Sequence, residues 1–350
     1  MHRLALCCRA LSLCLLLLPA AELARSADWQ DALRAQIERI DRDTPGELGV
    51  YVKRLDTGET FGHAADQPWY LASTAKVPIG LAVLQQVDAG QLTLARTLVL
   101  RDVDKVDGSG SLVWQKNGSA HSVDSLLRRM LGDSDNTAAN LLIRTVGEDA
   151  LNQSAKAAMG GKDFAGFTSF AQVRRDVYAE LHPAARKLTN DQLVRVASAP
   201  LGPRRVEAVR RAMGVKAGDL QVRTIDEAYA RYYKHQRNSA TLEAYGTLLE
   251  QLVRGKLLSP ASTQRLFTAM KFGPPGGYRL AGGLRQDVKF IHKTGTQYRT
   301  ACHVGVVNPQ DGGAKAIVVA SCARDLDDQR EAGKVFTEVG RAVNRVLLGG

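Results

Sequence analysis

Metal-ligand and redox spacings are missing from this 350-residue chain. It has no C-x-x-C pair, its seven histidines follow no ligand pattern, and three of its five cysteines fall within the first 26 residues. No metal site is therefore expected. Gly108-Ser109-Gly110 is not followed by G-K-[ST], so it is no phosphate loop, and G-x-S-x-G is absent, which argues against an α/β-hydrolase. After the first 26 residues no apolar run approaches the roughly 20 residues that a membrane span needs, and no internal repeat or low-complexity tract stands out. What is present is ordinary globular composition, 45% hydrophobic and 24% charged. That excludes a disordered chain, a collagen-like repeat and a disulfide-dense miniprotein, and leaves room for one large or two interleaved domains with a sizeable core.

Residues 1–26 read as a secretory signal peptide, with Arg3 and Arg9 before the apolar stretch Leu11 to Ala21 and the small-x-small site Ala24-Arg25-Ser26. Its removal takes three arginines and one glutamate from a chain of net charge +11, leaving a basic exported protein drawn towards anionic envelope material. A secreted or periplasmic location is expected. Only Cys302 and Cys322 then survive, each in an apolar strand-like run, with Asn308 to Gly313 as the turn between them. A hairpin centred near Gly312 sets the two cysteines opposite one another, as a cross-strand disulfide or as two free buried thiols.

The mature chain opens with Trp29, Leu33, Ile37 and Ile40 on one helical face and closes with Val335, Phe336, Val339 and Val343 likewise. Strand-like runs lie mainly near these ends, Leu48 to Leu55, Glu59 to His63, Asp287 to Lys293 and the two cysteine-bearing segments, while the middle has few. The pattern predicts an α+β fold, a five-stranded largely antiparallel sheet flanked by the terminal helices, with sheet-domain segments at 27–63 and 271–350 and a helical domain inserted at 64–270. Within the insert, 182–237 is hard to interpret. Arg204, Arg205, Arg210 and Arg211 there read as a solvated basic face, the other reading being a contact for anionic cell wall.

Three clusters carry chemistry. In Ser73-Thr74-Ala75-Lys76 a hydroxyl and an amine share one helix face, and a lysine whose charge is disfavoured by burial or by a second cation can deprotonate a serine. Ser134-Asp135-Asn136 follows one helical run and opens another, and Lys293-Thr294-Gly295-Thr296 ends an apolar strand. S-x-x-K alone is weak, but the three in this order are hard to attribute to coincidence. Through them the chain resembles a class A β-lactamase, within the wider family of penicillin-recognising serine enzymes. The likeness extends through Ser134 to Leu142 and through Gly255 to Pro260.

The resemblance implies that Ser73 is the acylated nucleophile, Lys76 its proton acceptor, and Ser134 the donor to the departing nitrogen. It further implies that Asn136 holds the substrate's side-chain amide and that Lys293 sets the electrostatics beside Ser134. Thr294 and Thr296 would bind a carboxylate, and the backbone N–H groups of Ser73 and Thr296, beside Gly295, would form the oxyanion hole. A small-molecule β-lactam or a peptidoglycan stem is the implied substrate. No cofactor, no nucleic acid and no membrane span enter this reading, and a monomer is expected.

The pattern also departs from the family. The E-x-x-L-N loop that supplies the deacylating glutamate is absent, and the corresponding stretch Phe170 to Leu181 offers only Asp176 and Glu180, either of which can equally be a helix-surface charge. Ala301 stands where a carboxylate-binding arginine is often found, leaving Arg299 as the substitute. His292, beside Lys293, either tunes the pocket or packs at the strand edge. The expected activity is ring opening through a Ser73 acyl-enzyme. The alternatives are a D-alanyl-D-alanine carboxypeptidase or esterase on the same scaffold, and a non-catalytic penicillin or muropeptide sensor.

Overall fold

The computed structural model describes residues 18–349 apart from Lys162, Phe272 and Pro274, and for residues 18–28 it describes the backbone alone. Most of the expected leader, residues 1–17, lies outside the described residues.

The five expected strands form one antiparallel sheet in the order Thr60–His63, Glu47–Arg54, Ile317–Arg324, Thr300–Val307, Phe290–Gln297. Alternation along each strand divides its residues between two cores. Val50, Val52, Ala301, Val307 and Val319 face the N-terminal helix Leu18–Arg42 and the C-terminal helix Arg330–Leu347, where Leu33, Ile37, Phe336 and Val343 are buried. Tyr51, Val304, Val306, Val318 and Ala320 face the helices of the chain's middle. Burial on both faces explains why these strands read as continuous apolar runs. Cys302 and Cys322 sit directly opposite each other in the register, and their sulfurs are bonded.

The second core is built around the helix Lys76–Asp88, whose first nine residues are buried. Around it lie Val123–Gly132, Asn136–Val146, Glu148–Ala158, Leu242–Val253 and Pro260–Ala269. Residues 182–237, opaque in the sequence, are mostly helical: Asn190–Ala197, Pro203–Met213 and Ile225–Lys234. Thr189 with Gln192 and Thr224 with Glu227 form capping boxes that start two of these helices, and Gly214, at φ 70°, ends the third. With Phe170–Ala179 they enclose a third apolar cluster containing Val177, Leu181, Leu193, Val209 and Ile225.

The basic face expected there needs one correction. Arg205 is buried and donates to the carbonyls of Ala197 and Ala199 and to the Tyr178 hydroxyl, so it holds the module together, while Arg210 and Arg211 pair with Glu207 on the surface. Among the described residues no helix is long and apolar enough to cross a membrane.

Candidate active site

Ser73 lies in a 3-10 turn, Ala72–Ala75, that runs straight into the helix beginning at Lys76. This sets the Lys76 ammonium 2.9 Å from Ser73 Oγ. The same nitrogen donates to the Ser134 carbonyl at 2.5 Å, to Ser134 Oγ at 3.2 Å and to Asn136 Oδ1 at 2.6 Å. Lys293 donates to Ser134 Oγ from the other side at 3.0 Å. Ser134 thus bridges two lysines, and its φ of 58°, costly for a residue with a side chain, is what turns its hydroxyl between them.

Asp135 fixes this arrangement without entering it. It caps the helix Asn136–Val146 by accepting from the Ala138 N–H and ties down the neighbouring loop by accepting from the Leu112 N–H, both at 2.9 Å. The Asn136 amide is engaged at both ends, its NH2 donating to the Asp107 carbonyl at 2.8 Å. Gly295 brings the strand Phe290–Gln297 close to the nucleophile. A Cβ at this position would stand 2.6 Å from the Leu71 carbonyl and 3.0 Å from the Ser73 nitrogen, so glycine alone fits.

Burial, followed by repulsion from Lys293, holds the Lys76 ammonium well below its usual range. Lys293 is itself drawn down to about 7 by burial first, then by Arg279 and Lys271. The charge of both lysines is therefore disfavoured, which helps either to act as a base for a serine hydroxyl.

No carboxylate is hydrogen-bonded to Lys76, and the ring of Phe170 lies 4.6 Å from its Nζ. Phe170 is the first residue of a helix capped by Ser169. One turn on, Arg174 is clamped to Asp107 through Nε at 2.9 and 3.1 Å. Asp176 comes six residues after Phe170, about 240° around the helix, and accepts from Gln172 at 2.8 Å instead of facing the serines. Glu180 ends the same helix and meets His235 at 2.8 Å on the surface. Neither carboxylate singled out in the sequence joins the Ser73 cluster.

Arg299 is likewise displaced from its expected place. It occupies a turn with φ 55° and donates to the Asp325 carbonyl, away from Thr296. Arg279 stands there instead. It is 1% exposed, donates to Thr296 Oγ1 at 2.9 Å and to the Gly295 carbonyl at 2.9 Å, and leaves its Nε without a partner. Sequence reasoning missed it because it precedes the strand in an irregular segment and reaches the site only through tertiary packing.

His292 is half-buried beside a fully buried His303. The Leu280 N–H donates to His303 Nδ1, which places that ring's proton on Nε2, donating to His292 Nδ1 at 3.0 Å. Burial, reinforced by Lys293, pushes His292 down to about 4, and burial with His292 pushes His303 down as well. An unfolded chain protonates these rings near 6.5, whereas the fold resists protonation to about 4 at His292 and holds His303 well below its usual range, so the unfolded state binds more protons in that window. Stability is therefore complete above about 6.5 and is lost as pH falls through 4, by roughly 3 kcal/mol for His292 alone. Urea melts from pH 7 to pH 4 should show this acid limb in the native chain and a shallower one in His292→Gln; equal limbs would remove the histidine pair as its cause.

The cleft over these groups, a cavity of about 390 Å³, is lined by Ser73, Ser109, Ser134, Thr294, Thr296 and Tyr298, among others. Among the described residues no group of three or more His, Cys, Asp or Glu is arranged to hold a metal ion.

The profile of the Beta-lactamase enzyme family matches residues 32–347. A beta-lactamase of Rhodobacter capsulatus is 25% identical over 318 residues, which span 91% of this chain and 89% of that protein. Beta-lactamase L2 of Stenotrophomonas maltophilia is 24% identical, spanning 97% and 94%. Among solved structures, an ancestral class A beta-lactamase superposes with a TM-score of 0.64 at 25% identity, covering 89% of this chain and 98% of that one. PBP-A does so with a TM-score of 0.64 at 23% identity, covering 91% and 96%, a likeness of fold.

Proposed function

Because the chain belongs to the Beta-lactamase enzyme family, we propose that it opens β-lactam rings by acylation of Ser73. The observation that carries this reading is the Lys76 nitrogen, held within hydrogen-bond reach of Ser73, Ser134 and Asn136 with its charge disfavoured. Neutral Lys76 takes the Ser73 proton as Oγ attacks the lactam carbonyl. Negative charge gathers on the lactam carbonyl oxygen between the N–H groups of Ser73 and Thr296. As the carbon–nitrogen bond breaks, Ser134 passes a proton to the departing nitrogen and is resupplied by Lys76 or Lys293, leaving an ester on Ser73. The substrate carboxylate lies on Thr294 and Thr296, with Arg279 behind them. Removal of residues 1–26 places the protein outside the cytoplasm, where it meets both β-lactams and cell wall.

The ester must then be hydrolysed, and the ring of Phe170 lies beside Lys76 where a water-activating carboxylate is lacking. Ring opening is therefore fast and release slow, and turnover of the drug, with the resistance it confers, is modest. The same observation favours a second reading, a D-alanyl-D-alanine carboxypeptidase in which a penicillin ester persists on the serine.

Time-resolved intact mass after mixing with excess benzylpenicillin tests both. The expected result is a protein heavier by one opened penicillin that decays slowly while the drug is consumed. Decay too slow to detect selects the peptidase reading, and a mass that never changes sinks acylation altogether. In the same assay Asp176→Asn and Glu180→Gln should release the ester at the native rate, within about twofold; a large slowing in either would return that carboxylate to the mechanism.

A further inference from the structure

The helical module at 182–237 reaches both walls of the cleft. On one side Asn190 donates to the carbonyls of Val103 and Lys105 at 2.8 and 2.7 Å, just ahead of the Ser109 loop. On the other, Tyr233 donates to the Tyr298 carbonyl at 2.7 Å, Tyr298 donates to Asp226 at 2.8 Å, and the Tyr229 and Tyr298 rings stack with centroids 5.0 Å apart. Tyr233 also packs on Tyr70, three residues before the nucleophile, at 5.1 Å. Between these anchors the turn after Asn190–Ala197 carries Leu201. That residue is 50% exposed, unusual for a leucine, yet it lines the same cavity as Ser73, Thr296 and Tyr298.

Tyr298 stands beyond Thr296 along the strand direction leading away from Lys293, and Leu201 lines the cavity with it. Whatever extends that way from a group seated on Ser73 meets them. Tyr298 is braced by stacking and two hydrogen bonds, so it cannot swing aside without disturbing the module, whereas Leu201 contributes bulk alone.

We propose that Leu201, presented by the 182–237 module against the braced Tyr298, is a specificity wall that admits slender acyl donors to Ser73 and holds off donors with bulky, branched side chains. This rests on the acylation of Ser73 proposed above. It makes the module part of the substrate site, and the preferred substrates are penicillins with unbranched side chains.

The test compares second-order acylation rates for benzylpenicillin and for cefotaxime, whose side chain is branched and wide, followed by intact mass on the full mature chain. Leu201→Ala should accelerate cefotaxime by tenfold or more while changing benzylpenicillin by less than threefold, and Leu201→Trp should slow cefotaxime selectively. Leu201 is at the surface, so both variants are expected to fold, and matching thermal melts confirm that the comparison is like for like. A cefotaxime to benzylpenicillin ratio that stays the same in both variants overturns the wall and leaves Ser73 acylation standing. Failure of the native protein to be acylated by either compound sinks the acylation reading and the wall with it.

Discussion

Ser73→Ala abolishes covalent labelling by benzylpenicillin, with ring opening falling by roughly 10⁶-fold, the scale seen when a serine nucleophile is removed from a preorganised site. The size follows from the arrangement around Lys76. Lys76 Nζ is held 2.9 Å from Ser73 Oγ, and the steps the other groups assist, charge gathering on the lactam carbonyl oxygen and proton transfer to the lactam nitrogen, follow only once that Oγ has attacked the ring. Ser134 is the rival serine within reach of Lys76, and its hydroxyl already lies between two lysine nitrogens at 3.2 and 3.0 Å, a setting that suits handing on a proton. Mass spectrometry of the penicillin-treated variant decides the matter. Labelling that persists and maps to Ser134 would exchange the two roles.

Phe170→Glu should speed release of the penicillin ester by roughly 10² to 10⁴-fold, the range a positioned general base provides. The ring lies 4.6 Å from Lys76 Nζ, so a carboxylate on the same helix turn can reach a water beside Ser73. The substitution carries a second effect of opposite sign. A cation–π contact favours a charged lysine by only about 0.5–2 kcal/mol, whereas a carboxylate about 4 Å away favours it by about 4 kcal/mol at an effective dielectric of 20. Acylation should therefore slow in the variant and its pH profile should move up, because Lys76 becomes harder to deprotonate. Rapid-quench measurement of both steps reads the two effects separately, and unchanged release would show that something other than the missing carboxylate limits it.

The motifs that draw Ser73, Lys76, Ser134 and Lys293 together were legible because each is a short run whose own secondary structure aims the side chains. The sheet was legible because its strands are buried on both faces and so stand out as apolar runs. The deacylation side was harder. Residue type alone points to Asp176 and Glu180, whereas the capping Ser169 fixes the helix phase so that Phe170 and Arg174 face the site. Arg299 was chosen for its place after the strand, but the turn at φ 55° carries it outward. Arg279 had no local signal. Two helices of 182–237 have clear capping boxes, yet the assembly of the module depends on Arg205, a charged side chain that burial turns into a structural tie.

The sheet's central pairing joins Glu47–Arg54 to Ile317–Arg324. Some 260 residues separate these partners, so although Glu47–Arg54 can pair at once with Thr60–His63, its other edge must wait until nearly the whole chain exists. Contacts of such long sequence separation form slowly because loop closure precedes any gain. A ribosome-bound chain therefore cannot complete the sheet that carries Lys293, so the cluster of Ser73, Lys76, Ser134 and Lys293 stays unformed during synthesis. Folding, and with it reactivity, begins when the C-terminal strands arrive.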